Sequence, residues 1–161
     1  MKDTSEFFAL PPTSDFAFAE AAGTLTFPSA LTTPHSENNV VYGRWFPAAG
    51  DESLVRQANR GRAVVVLPQW NSNADGHIGL SRVLARFGVS ALRLSLPYHD
   101  ARMPPELTRA DYIVSANVGR TAQVCRTRCL GPPPLLRDSA SIMRASASGS
   151  AVRCWPSASQ Y

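Results

Sequence analysis

Between residues 62 and 97 the sequence reads RAVVVLPQWNSNADGHIGLSRVLARFGVSALRLSLP, and the order of its patterns admits few folds. Residues 63–67 are a short apolar run rich in valine and closed by Pro68, as expected of a strand buried on both faces of a parallel sheet. After a polar loop over residues 69–75, Leu80, Val83, Leu84 and Phe87 recur at three- and four-residue spacing, which predicts one face of a helix. Asn73 or Asp75 is placed to cap its start, and Gly88 stands where a left-handed C-terminal cap belongs. Residues 89–96 then alternate, Leu92, Leu94 and Leu96 on one side and Ala91, Arg93 and Ser95 on the other, which is a second strand. Strand, helix and strand in that order make one right-handed βαβ crossover, and so predict an α/β fold.

With 161 residues, 44% of them hydrophobic and 17% charged, the chain has the composition of one ordinary domain with a core. No apolar run approaches the roughly 20 residues that cross a bilayer, and the first residues, MKDTSEFF, are acidic where a signal peptide is basic. The expectation is a cytoplasmic protein with no membrane partner. Three cysteines, Cys125, Cys129 and Cys154, have no framework spacing and are expected as reduced thiols, and Cys125-x3-Cys129 lacks the second pair a zinc site needs. The net charge of +4 resides mostly in the C-terminal part. Residues 1–126 hold 12 basic and 11 acidic side chains, whereas residues 127–161 hold four Arg and one Asp. No basic patch interleaved with aromatics is present, so nucleic acid is not an expected partner.

Along the chain, residues 1–24 read as a peripheral segment, forming a short helix or staying mobile through residue 22. Residues 25–46 carry strand signals at both ends, strongest over 39–46, with a turn at Glu37-Asn38, so an antiparallel strand or hairpin precedes the crossover. Residues 47–61 form a polar linker. After Pro97 the YHDARMPPE segment is a loop, and residues 107–126 read as a helix in two pieces, with Val114, Val118 and Ala122 four apart and Gly119 weakening it.

At Arg126 the character changes. Of the 35 residues 127–161, 22 are Ser, Ala, Pro, Gly or Arg, and no period persists, which predicts a low-complexity, disordered tail. The chain's 15 Arg against one Lys point to GC-rich coding DNA, whose other frames yield such strings, so out-of-frame translation stands beside a genuine tail as its origin.

The antiparallel start, the strand AVVVLP, the helix GLSRVLARFG, the strand SALRLSLP and the PYHD loop together resemble the N-terminal half of the α/β-hydrolase fold, as found in bacterial members of that superfamily. The likeness covers residues 25–126 and implies a truncated sheet, antiparallel at its start and then βαβ, with helices on its faces. It implies a parent enzyme that hydrolyses a small-molecule ester or related acyl bond through a serine on a Gly-x-Ser-x-Gly elbow, with an acid and a histidine later in the chain. The sequence contains no such elbow, its nearest serine context being Ser148-Gly149-Ser150, and no histidine follows His99. No catalytic residue is therefore assigned, and the chain is expected to be inactive. A non-catalytic binding module on the same scaffold is the alternative.

The resemblance makes Gln69 and Trp70, just past the first βαβ strand, candidates for the backbone N–H of an oxyanion hole, although the His-Gly pair common there in lipases is missing. It also makes Asn71, Tyr98 and His99 pocket-lining candidates. His99-Asp100 has the residue types of a base and its orienter, but neighbours on a loop rarely face each other. His77 is expected to hydrogen-bond locally, and with His35 it makes no metal spacing. Asp75-Gly76 is a turn, not a phosphate loop, and neither cofactor nor metal is expected.

Overall fold

The computed structural model describes residues 16–49 and 62–130, with side-chain surroundings as far as residue 126. Five strands, β1 (Ala17–Ala19), β2 (Thr24–Pro28), β3 (Val40–Phe46), β4 (Ala63–Val66) and β5 (Ser90–Leu94), form one sheet in the order β1-β2-β3-β5-β4. The first three are antiparallel neighbours, β3 meets β5 antiparallel, and β4 and β5 are parallel. Helix α1 (Ile78–Arg86) links the parallel pair, so the predicted βαβ crossover is present, and α2 (Val118–Leu130) follows it.

The start of the chain corrects the sequence reading. Residues 17–22 are not one short helix: β1 pairs with β2, and a 3-10 turn over Glu20–Ala22 closes on Gly23, while residues 1–15 lie outside the described residues. Gly23 has φ 59°, a conformation that glycine adopts without strain. Its carbonyl also accepts the Trp45 N–H at 2.7 Å, and a Cβ there would approach the Trp45 carbonyl to 3.1 Å. The hairpin lets Phe16 and Phe18 pack on the core formed by Leu25, Phe27, Val41, Trp45, Leu92 and Leu94. Gly43 belongs to this packing, because a Cβ on it would lie 3.0 Å from the tips of both Leu92 and Leu94.

Two faces are assigned differently from the sequence pattern. β4 is not buried throughout: Val64 is 41% exposed and the following Leu67 43%, whereas Val66 is buried, and among the described residues β5 is its one neighbour in the sheet. β5 is buried at every position, Leu92 and Leu94 in the core and Ala91 and Arg93 toward the face that α1 covers. In α1 the buried positions are Ile78 and Ser81, while Leu80, Val83 and Phe87 are about half exposed. Neither Asn73 nor Asp75 caps this helix; its N-cap is His77, at φ 66°, with no side-chain bond. The C-terminus behaves as the sequence predicts: Gly88, at φ 82°, donates to the Ala85 carbonyl, and Val89 donates to that of Leu84. Those two bonds form a Schellman cap and turn the chain directly into β5.

Residues 107–117 are loop and a 3-10 turn (Asp111–Ile113), not helix. Val114 and Val118 are exposed, and Val124 is the α2 residue that enters a second apolar cluster, with Tyr98, Ala110 and Ile113. The spacing of Val114, Val118 and Ala122 fails as a guide because the first of these precedes the helix. α2 continues through Leu130, past the composition change at Arg126. The predicted tail beyond it and most of the 47–61 linker lie outside the described residues.

Candidate functional site

Because β4 and β5 are parallel and adjacent, the loops leaving their carboxyl ends, residues 67–77 and 95–103, emerge side by side. That edge of an α/β sheet is where ligands characteristically bind. Here the two loops are tied together by a partly buried network, and Gln69, Trp70, Asn71, Tyr98 and His99 all lie within it or on its rim.

His99 is the centre of the network and is fully buried. Its Nδ1 lies 2.9 Å from the Pro97 carbonyl, which can only accept, so Nδ1 carries the proton and donates. Nε2 is then a lone pair, and it accepts the backbone N–H of Asn71 at 2.8 Å. Burial holds the His99 pKa below the ordinary histidine value. The Pro97 bond and the Asp100 carboxylate pull the other way, while the Arg93 and Arg102 guanidinium groups reinforce the lowering. With both ring nitrogens engaged, His99 in this arrangement has no free lone pair with which to act as a general base.

Asn71 joins three segments. Its N–H goes to His99, its Oδ1 accepts the Ala110 N–H at 3.2 Å, and the adjacent Trp70 donates Nε1–H to the Ala110 carbonyl at 3.3 Å. Trp70 is half exposed, and the Arg109 guanidinium lies 5.6 Å from its ring centroid. Gln69 is exposed, and its carbonyl closes a turn by accepting the Ser72 N–H at 3.2 Å. Among the described residues, the Gln69 and Trp70 N–H groups donate to no acceptor, whereas that of Asn71 is consumed by His99. Tyr98 is buried in the second cluster, its ring edge-on to His35 and Tyr112, and its N–H donates to Asn38 Oδ1 at 3.0 Å.

Four non-glycine residues with positive φ, Asn71, His77, Tyr98 and Asp100, lie in or beside these two loops. Non-glycine left-handed residues cost on the order of 1–3 kcal/mol each, and persist where their surroundings over-determine them. The determinants here include two arginines. Arg93 is 3% exposed and spends its guanidinium on Asp100 Oδ2 at 2.8 Å, the Asn73 carbonyl at 2.8 Å and the Gly76 carbonyl at 3.2 Å. Arg102 is 1% exposed and donates to the carbonyls of Asn38 at 2.7 Å and Ser95 at 3.2 Å, fastening the segment before β3 to the end of β5. No carboxylate faces Arg102 among the described residues, and burial lowers its pKa to about 10.

His99 and Asp100 therefore face different partners, Asn71 and Arg93. The sequence patterns assign no site role to Arg93 or Arg102, bring in Asp100 only as an orienter of His99, and bring in Asn38 only as a turn residue. The available signal is a charged residue inside an apolar strand, Leu92-Arg93-Leu94, since a buried charge requires a partner. His77 acts locally through its carbonyl, which accepts the N–H and Oγ–H of Ser81 at 3.0 Å, and not through its ring, whose buried Nδ1 has no hydrogen-bond partner among the described residues. Cys125 is exposed and free, and the described residues contain no group of three His, Cys, Asp or Glu side chains able to hold a metal. No helix among the described residues is long and apolar enough to cross a membrane. Compared with known proteins, the chain matches no family model and no curated protein.

Proposed function

We propose that this chain carries the first part of an α/β-hydrolase-like scaffold, whose complete form hydrolyses an ester or related acyl bond with a serine nucleophile. The observation that carries the reading is the sheet order β2-β3-β5-β4, in which an antiparallel pair joins a parallel βαβ pair at the second strand of the crossover. This places the loop after β4 at the carboxyl edge, where a hydrolase-like oxyanion hole draws one backbone N–H. The Gln69 and Trp70 amides suit that role better than Asn71, whose N–H is already bound. An oxyanion donor stabilises charge only after a nucleophile has attacked, and these 161 residues contain no Gly-x-Ser-x-Gly elbow.

A polypeptide of this sequence therefore leaves a short-chain ester such as p-nitrophenyl acetate at its buffer rate. Turnover above buffer that a serine-directed fluorophosphonate abolishes would overturn this. The scaffold reading is tested separately by resequencing the coding DNA across the codons of residues 123–137. Another frame should continue α2 into a strand and Gly-x-Ser-x-Gly; if the present frame is confirmed and the others are closed by stop codons, the hydrolase reading fails.

A further inference from the structure

We infer that His99 is a pH-operated latch on the loop after β4: the neutral ring holds the Asn71 amide, and a second ring proton expels that amide and opens the three-segment junction built on it. The geometry leaves the added proton one place to go. Nδ1 already donates to the Pro97 carbonyl, so protonation puts hydrogen on Nε2, opposite the Asn71 N–H at 2.8 Å. Two donors then face each other at a part-buried contact, and the contact turns from attraction to repulsion. Asn71 is the member able to yield, being exposed and held at φ 60°, so its release also relieves backbone strain. Its displacement disturbs the Asn71 Oδ1 bond to the Ala110 N–H and the Trp70 Nε1–H bond to the Ala110 carbonyl, the other two legs of the junction.

The charged groups facing His99 are the Asp100 carboxylate, which favours the imidazolium, and the Arg93 and Arg102 guanidinium groups, which oppose it. Asp100 is itself bound by Arg93 at 2.8 Å, so it is not free to follow the ring. The loop before α1 presents the uncharged Asn71 amide. The other two histidines are His35, whose Nδ1 is 3.2 Å from Glu106 Oε1, and His77, at the N-cap of α1.

The test is a pH titration of the full 161-residue chain, labelled with nitrogen-15 and followed by NMR. A through-hydrogen-bond coupling between the Asn71 nitrogen and His99 Nε2 is expected at neutral pH. It should vanish on acidification in step with the His99 ring, at a midpoint below that of an ordinary histidine. The Trp70 indole and Ala110 amide resonances should move on the same curve, while the amides of β2 and β3 keep theirs. His99→Gln, whose side-chain oxygen supplies an acceptor without a titrating ring, should hold the Asn71 and Trp70 signals constant over the same range, which separates His99 from His35 and His77. Absence of the coupling at neutral pH, titration of His99 with Asn71 unmoved, collapse of the sheet resonances at the same midpoint, or an unchanged Asn71 titration in His99→Gln would each overturn the latch. Should His99→Gln fail to fold, the wild-type titration alone decides.

Discussion

Among single residues, the buried charges and the buried imidazole govern how this edge of the sheet responds to change. Arg93 is held by Asp100 and two loop carbonyls at once. Asp100→Asn would leave a guanidinium in the interior without its counter-charge, a change that typically costs about 3–5 kcal/mol. A urea titration of that variant should show the midpoint falling sharply with the slope unchanged; a shift equivalent to less than about 1 kcal/mol, the size of an exposed pair, would mean that the pair is effectively solvated. His99 contributes a pH dependence of defined sign. Its folded-state pKa is depressed by burial, so below about 6.5 the unfolded chain binds a proton that the native state refuses. The His99 contribution to stability is therefore complete above that value and declines as the pH falls toward the folded-state pKa, below which it changes no further. Denaturant midpoints measured across that interval should fall with acid in the wild type, and fall less in His99→Gln.

Among the elements, α1 shows why the two ends of a helix are unequally legible. Gly88 is followed by a strand, and its left-handed conformation is needed wherever a helix must turn out through a Schellman cap, so the local sequence is sufficient. Gly88→Ala should cost about 1–2 kcal/mol, read as a lower melting temperature, because alanine pays the left-handed penalty that glycine avoids. The N-terminal end is hidden from the sequence because Asn73 and Gly76 are committed elsewhere: their carbonyls accept from Arg93, and Asn73 Oδ1 accepts the Asp75 N–H at 3.2 Å. The face of α1 is hidden for a related reason. Periodicity identifies an apolar stripe but not the direction it faces, and α1 buries Ile78 and Ser81 while Leu80, Val83 and Phe87 stay half exposed.

For the molecule as a whole, Leu80 and Val83 of that stripe and the outer edge of β4 are, among the described residues, apolar surfaces that a second copy could meet. The double variant Leu80→Lys, Val83→Glu should reduce concentration-dependent association in sedimentation velocity. Its cost in stability should be on the order of 1 kcal/mol per site, since both side chains are half exposed and neither belongs to the buried core; unchanged association would place the contact elsewhere. Local sequence is enough for the βαβ unit, the hairpin ahead of it and the glycine that ends α1, because each rests on patterns only a few residues long. It also places Gln69, Trp70, Asn71, Tyr98 and His99 in two loops that a parallel pair must bring to one edge. Folding in three dimensions settles the rest: β4 leaves Val64 exposed, residues 17–19 join the sheet, and His99 faces Asn71 while Asp100 faces Arg93. Such pairings depend on which segments meet, and a hydrogen bond across 28 residues, like that from Asn71 to His99, leaves no periodic trace along the chain.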